Sequence, residues 1–554
     1  MSNVPITRRA AVISLGLLGV SAAAGAAAGP SALAGTGAPI DRGLVVATGQ
    51  GRVKGTRSGA TRVFAGLPYA APPVGERRFR APEPPQPWRG VRDASVFGNQ
   101  CIQTIEDLPA WRDPRPESED CLYLNVWTPD RPRQPALPVM VWIHGGAFSY
   151  GSAGVPIYDG AHLAETGDVV VVSINHRLNV FGYLWLGDVV PELAAHPTPG
   201  QQDIVAALRW VRDNITAFGG DPGNVTLFGE SGGGAKIGAL MATPSAHGLF
   251  HKAIVQSGSQ LAVPTREQAA PLTSAVLDAL GGGIWDVARL HSVPTDQLKA
   301  AAIAAQQAVP GLGFQPVVDG QFIPRQTWAG GLPETARGIP LIIGTTSHEG
   351  VFFVPDMWTP IDSDDELERR FRASGMVPPL GDDQYRQLID MYRAAMPASS
   401  TRTELLVAMV TDIGMWHSAL RQAETKLADR SAPVFSYEFA WRTPSFGGSW
   451  APHAGELPFV FGNLTYGTAW DGTDTDAMRT ADDPQGLRFT LAEQMMRAWA
   501  AFAHHADPST ADLPWPAYDL QNRPTMVFDR GASTVVPDRN SARRRIVEQL
   551  PTAW

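Results

Sequence analysis

Val225-Thr226-Leu227-Phe228 runs straight into Gly229-Glu230-Ser231-Gly232-Gly233, and Ala235-Lys236-Ile237-Gly238-Ala239-Leu240 follows. A short β-prone run, a glycine-flanked serine and a stretch of small residues predict a strand, a sharp turn and a helix. The flanking glycines matter because neighbouring side chains would collide in so tight a turn. The turn lifts Ser231 Oγ clear of the backbone, and the unpaired N–H groups that open the helix face it. G-x-S-x-G alone is a common string. Set between a strand and a helix, it marks Ser231 as a nucleophile.

The same alternation recurs on both sides. Residues 137–143 form a continuous apolar run, as expected of a strand buried on both faces. Further strands are predicted over 168–174, 225–228, 252–256, 339–343 and 434–439. A helix is predicted over 203–217, apolar at Ile204, Leu208, Val211 and Ile215. Strands alternating with helices predict an α/β fold, a mostly parallel central sheet flanked by helices. No repeat, heptad run or low-complexity linker divides the chain, so one large domain is expected.

Composition sets the outer limits. The 554 residues are 44% hydrophobic and include 56 Gly and 47 Pro, which suits many loops on a packed scaffold and is too apolar for disorder. The net charge of −9, with no basic cluster, argues against a nucleic-acid partner. Two cysteines are too few for a disulfide-rich scaffold or a Cys-type structural zinc site. At the N-terminus, Thr7-Arg8-Arg9-Ala10 precedes an uncharged Ala/Gly/Leu/Val run, then Pro30 and Ala32-Leu33-Ala34. Residues 1–34 read as an export signal of twin-arginine character, with an ordinary secretory signal as the alternative. Cleavage near Ala34 would leave a catalytic domain over 35–554, secreted or periplasmic. No later stretch has the apolar length of a membrane span.

A serine hydroxyl needs a positioned base, and the base needs a carboxylate to orient it. On a sheet that presents serine in this way, acid and base follow it in chain order. His453, in Trp450-Ala-Pro-His453-Ala-Gly-Glu456, falls in a loop after the strand at 434–439. Glu349, in Ile343-Gly-Thr-Thr-Ser-His-Glu349, closely follows the strand at 339–343. His417 has helical neighbours, and His504-His505 reads as a polar loop. His348 stays in play on the residues alone, although neighbours such as His348 and Glu349 rarely point at one site. For the oxyanion, Val141-Trp-Ile-His144-Gly145-Gly146-Ala147 places a glycine pair after a strand, where backbone amides turn inward unhindered. Gly145, Gly146 and Gly232 are the candidate donors.

These features together resemble the type-B carboxylesterases, the family of the cholinesterases and bacterial p-nitrobenzyl esterases, within the α/β-hydrolase superfamily. The resemblance also rests on Phe64-Ala-Gly-Leu-Pro-Tyr-Ala-Ala-Pro-Pro-Val-Gly75, Ser118-Glu-Asp-Cys-Leu-Tyr-Leu-Asn-Val-Trp127 and Phe218-Gly-Gly-Asp-Pro222. Gln256-Ser-Gly-Ser259, Pro316-Val-Val-Asp-Gly320 and Glu456-Leu-Pro-Phe-Val-Phe-Gly462 complete it. It implies Ser231 as nucleophile, His453 as base and Glu349 as acid, which resolves the His348 question. It further implies that Ser257 hydrogen-bonds the acid, that Arg78 and Glu119 form a structural ion pair, and that Cys101 and Cys121 form a disulfide. The expected partner is a small-molecule ester, with neither metal nor organic cofactor, and no motif fixes an oligomeric state.

Four positions stand apart. Gly232 occupies a place where the family usually has Ala, suggesting a looser backbone, and Ala147 replaces a frequent third Gly. Lys236 reads as a side chain snorkelling at a helix surface. Trp111, ten residues before Cys121, stands where cholinesterases hold a quaternary ammonium by cation–π attraction; plain loop packing is its simpler reading. The reading is thus a serine carboxylesterase acting on small to medium esters. Its rivals are a lipase, a feruloyl, polyester or choline-ester hydrolase, and a non-catalytic binding protein, which usually lacks the serine.

Overall fold

A computed structural model describes residues 42–104, 112–134, 136–357, 359–376, 380–465 and 475–550, which lie in one compact unit. Trp111 and the proposed signal, residues 1–34, lie outside the described residues. Among the described residues the main sheet has 11 strands. They are β1 (Thr56–Ser58), β2 (Thr61–Pro68), β3 (Tyr123–Pro129), β4 (Leu137–Ile143), β5 (Val170–Ile174) and β6 (Gly220–Glu230). The rest are β7 (Lys252–Gln256), β8 (Leu341–Thr346), β9 (Val434–Phe439), β10 (Thr525–Phe528) and β11 (Thr534–Val536). Their order is β11-β10-β9-β8-β7-β6-β4-β5-β3-β2-β1. The run from β10 to β5 is parallel throughout, and antiparallel strands close both edges.

Every residue of β4 is buried because both faces of the sheet are covered. Successive side chains point to opposite faces, so one strand feeds two cores. Val139, Val141 and Ile143 pack with Val172, Leu227 and Val255 beneath Ile204, Leu208 and Val211 of α2 (Pro199–Asn214). Met140 and Trp142 pack on the other face with Phe228 and Ile254, beneath Leu491, Met495 and Trp499 of α4 (Leu487–His505). The short α1 (Ala161–Gly167) joins that second layer, and α3 (Gly232–Leu240) joins the first. Burying each such aliphatic side chain contributes about 1.5–3 kcal/mol, which holds β4, β6 and β7 as a rigid platform.

The predicted strands at 137–143, 252–256 and 434–439 match the observed bounds, and the other three are displaced by a few residues. The helix predicted over 203–217 begins earlier and tightens to a 3-10 turn after Asn214. His504-His505 is not in a loop: it forms the last turn of α4, where His504 Nε2 meets the Gly167 carbonyl at 3.0 Å. A cation-capable side chain suits that end of a helix. Arg78 and Glu119 form the expected ion pair, buried and bidentate at 2.7 and 2.6 Å, while Arg78 Nη1 also donates to Val293 O.

Candidate active site

Ser231 sits at the turn between β6 and α3 with φ 53° and ψ −124°, a conformation that few residues besides glycine adopt. Its N–H donates to Gln256 O at 2.8 Å, which ties the turn to the end of β7. Strain gathers here: Ala147, Ser257 and Ala454, beside or near the other site residues, also have positive φ. Such outliers persist only where the surroundings over-determine them, and the fully buried strands beneath supply that constraint.

Glu349 stands just beyond β8, completely buried, and three donors hold its carboxylate. Ser257 Oγ and the Thr346 N–H each donate to Oε1 at 2.6 Å, and His453 Nδ1 meets Oε2 at 2.5 Å. The imidazole is clamped by Phe352 and Phe353, with ring centroids at 5.5 and 4.9 Å. Its Nδ1 is thereby committed to Glu349, leaving Nε2 for a proton in transit. Ser231, His453, Gly145 and Gly146 line a common cleft walled by Tyr150 and Tyr158. The cleft cavity is about 20 Å³, room for about one water.

Burial works against a charged imidazole, yet the carboxylates of Glu230 and Glu349 outweigh it and raise His453 to about 9. Glu230, the residue before the nucleophile, escaped the sequence reading. Its Oε1 lies 3.1 Å from His453 Nε2, without a hydrogen bond among the described residues. Burial pushes the Glu230 carboxyl well above the usual range. Glu456 is another buried acid nearby, raised by burial to about 7 and held by Gln256 Nε2 at 3.0 Å.

The glycines of the strand-end turn are there for space. A Cβ on Gly145 would lie 2.8 Å from Glu230 Oε2, and one on Gly146 would lie 2.3 Å from Tyr150 O. Gly232 is not loose, as expected from its sequence, but tight. A Cβ there would lie 2.0 Å from Ala147 O, because Ala147, at φ 50°, turns its carbonyl under the nucleophile's helix.

Other expectations need correction. Lys236 is not at a surface: it is fully buried, its Nζ donating to His144 O at 3.2 Å and lying 5.4 Å from the Phe148 ring. Helix α3 is buried along its whole length, so it has no wet face toward which a lysine could snorkel. The absence of any other polar residue in Gly232–Leu240 was the available signal. The thiols of Cys101 and Cys121 are free and buried in this structure, and a hydrogen bond between them helps raise Cys121. Cys101 Sγ also accepts the Leu178 N–H at 3.3 Å. His348 points away from the cleft, into a separate cavity with Arg442, Arg539 and Arg543. Burial first, then those arginines, lower it to about 3.

The carboxylesterase family model matches residues 42–545. A para-nitrobenzyl esterase from Bacillus subtilis (strain 168) is 40% identical over 508 residues, 90% of this chain and 98% of that protein. A human cocaine esterase is 34% identical, covering 85% of this chain and 84% of its own length. Among solved structures, a thermophilic p-nitrobenzyl esterase gives a TM-score of 0.76 at 39% identity, over 91% of this chain and all of its own. An esterase from Clostridium hathewayi, described as hydrolysing aliphatic aromatic polyesters, gives 0.74 at 34%, over 92% of this chain and 98% of its own.

Proposed function

The chain belongs to the carboxylesterase family and is a serine esterase, and we propose that Ser231, His453 and Glu349 carry its acyl transfer on small to medium esters. The observation that carries this assignment is the His453–Glu349 contact at 2.5 Å beside a cleft that Ser231 shares. In this reading Ser231 Oγ attacks the ester carbonyl while its proton passes to His453 Nε2. Glu349 steadies the imidazolium, and the amides of Gly145, Gly146 and Gly232 receive the oxyanion. Collapse expels the alcohol, which takes the proton from His453. Water, activated by the same imidazole, then splits the acyl-enzyme and releases the acid.

The narrow cleft supports a preference for short acyl chains. Hydrolysis of p-nitrophenyl esters from acetate to palmitate tests this, with Ser231→Ala as the control. The expected result is turnover falling with chain length, and a loss of about 10⁴-fold or more in the variant. Equal turnover of palmitate and acetate would overturn the size preference. Wild-type-like activity in Ser231→Ala would overturn the assignment of the nucleophile.

Two further readings belong here. The twin-arginine pattern before Ala34 supports export with cleavage, and the N-terminal sequence of protein recovered outside the cytoplasm tests it. Oxidation after export would join the neighbouring thiols of Cys101 and Cys121. Free-thiol titration of denatured, unreduced exported protein should then find none.

A further inference from the structure

The acid and the base of the triad stand on separate turns, and a side chain outside the triad ties those turns together. Residues 346–349 close β8 and commit their main-chain N–H groups one after another. Thr346 N–H holds Glu349 Oε1 at 2.6 Å. Ser347 N–H donates to Phe439 O, at the end of β9, at 2.8 Å, and His348 N–H donates to Ala451 O at 3.1 Å. Ala451 stands two residues before His453 and is fully buried. Its own N–H donates to His348 Nδ1 at 3.2 Å. His348, next to the acid, therefore meets both polar main-chain groups of a residue close to the base.

The ring is fitted for this work. The backbone fixes the direction of the Ala451 N–H, so Nδ1 is the acceptor and the ring's own proton sits on Nε2. Ser347 Oγ lies 2.8 Å from the same Nδ1, and its hydroxyl is free to turn towards it. Trp450 packs against the ring with centroids 5.3 Å apart, at 65°. Nε2 faces the separate cavity, 3.3 Å from Arg442 Nη2. Burial, then Arg442, Arg543 and Arg539, hold the imidazole down to about 3, so the Nδ1 lone pair stays available while His453 titrates. Without that acceptor a buried N–H loses its partner, and the turn must move to find another. A shift of about 1 Å in the base can cost about 10²-fold in rate.

We propose that His348 is a positioning residue of the triad, bracing the His453 loop against the Glu349 turn by accepting the Ala451 N–H at Nδ1. The inference rests on the triad reading above. A ring that only filled space could be replaced by any side chain of similar bulk. A brace can be replaced only by an acceptor at the place of Nδ1.

The test compares His348→Leu with His348→Asn in the full chain. The two side chains share one shape, and asparagine alone sets an acceptor, Oδ1, where Nδ1 stands. The readouts are p-nitrophenyl acetate kinetics and the far-downfield proton resonance of the His453–Glu349 hydrogen bond. For leucine, kcat should fall by about 10- to 100-fold with KM within about twofold, and the resonance should shift or vanish. For asparagine, kcat should stay within about threefold of wild type with the resonance in place. A kcat for asparagine no higher than for leucine, or a change in KM alone, would overturn the proposal. Should the leucine chain not fold, His348→Gln, which sets a carbon where Nδ1 stands, takes its place against asparagine with the same expected split. Wild-type-like activity in Ser231→Ala, run alongside, would overturn the triad reading instead.

Discussion

Two carboxylates flank the His453 imidazole in opposite circumstances. Glu349 faces Nδ1 and is held by a hydroxyl, a backbone amide and the ring itself. Glu230 lies 3.1 Å from Nε2, and its Oε1 makes no hydrogen bond among the described residues. Both are glutamates buried within a few ångströms of one ring. Three donors fix the first in place, whereas burial favours the proton on the second. The role of a carboxylate is therefore set by the donors aimed at it. The fixed one can orient a base. The under-partnered one must be kept neutral or countered, since it borders the path of the proton and the oxyanion.

The largest test of this contrast is Glu349→Gln. It keeps the shape and loses the charge, and kcat should fall by about 10³- to 10⁴-fold with an unchanged melting temperature. A near-wild-type kcat would assign the orienting role to another acid. Ser257→Ala sharpens the comparison by removing one of the donors to Glu349 Oε1. A charge-assisted hydrogen bond is worth about 1.5–3 kcal/mol, so steady-state kinetics should show kcat reduced by about tenfold or more with KM little changed. An unaffected kcat would show that the Thr346 amide suffices. The smallest effect is expected at Glu230→Gln. His453 acts as a base only when neutral, and a nearby carboxylate favours its protonated form. Removing that carboxylate should lower the imidazole pKa and move the acid limb of the kcat/KM–pH profile down by about one unit. An unmoved limb would show that Glu230 already carries its proton across that range.

The contrast between the two carboxylates also marks where sequence reading succeeds. The parallel strands were legible because burial on both faces leaves uninterrupted apolar runs such as Leu137–Ile143. The edge strands Thr56–Ser58 and Thr534–Val536 were not, being three residues long and without a buried residue. Ser231, Gly145 and Gly146 were legible because tight turns demand glycine. Choosing His453 over His348 needed the family resemblance; the structure supplies the physical reason, since His348 faces Arg442 and His453 faces Glu349. Glu230 was quoted as part of the motif and passed over. No periodicity tells that a residue beside the nucleophile reaches a histidine from a loop more than 200 positions later. Lys236 was misread because an isolated lysine is usually at a surface, and only a helix with no polar face contradicts that.

One feature of the turn beneath the nucleophile bears on how this chain can change with time. Gly232 and Ala147 were each counted as a departure from the family pattern. The atoms that would meet a Cβ on Gly232 are Ala147 O, C and Cα, all of them backbone, so the course of the chain at 147 decides what 232 can be. The two departures are therefore sterically coupled: alanine at 232 requires the segment at 147 to leave its present path, so neither position can be exchanged on its own terms.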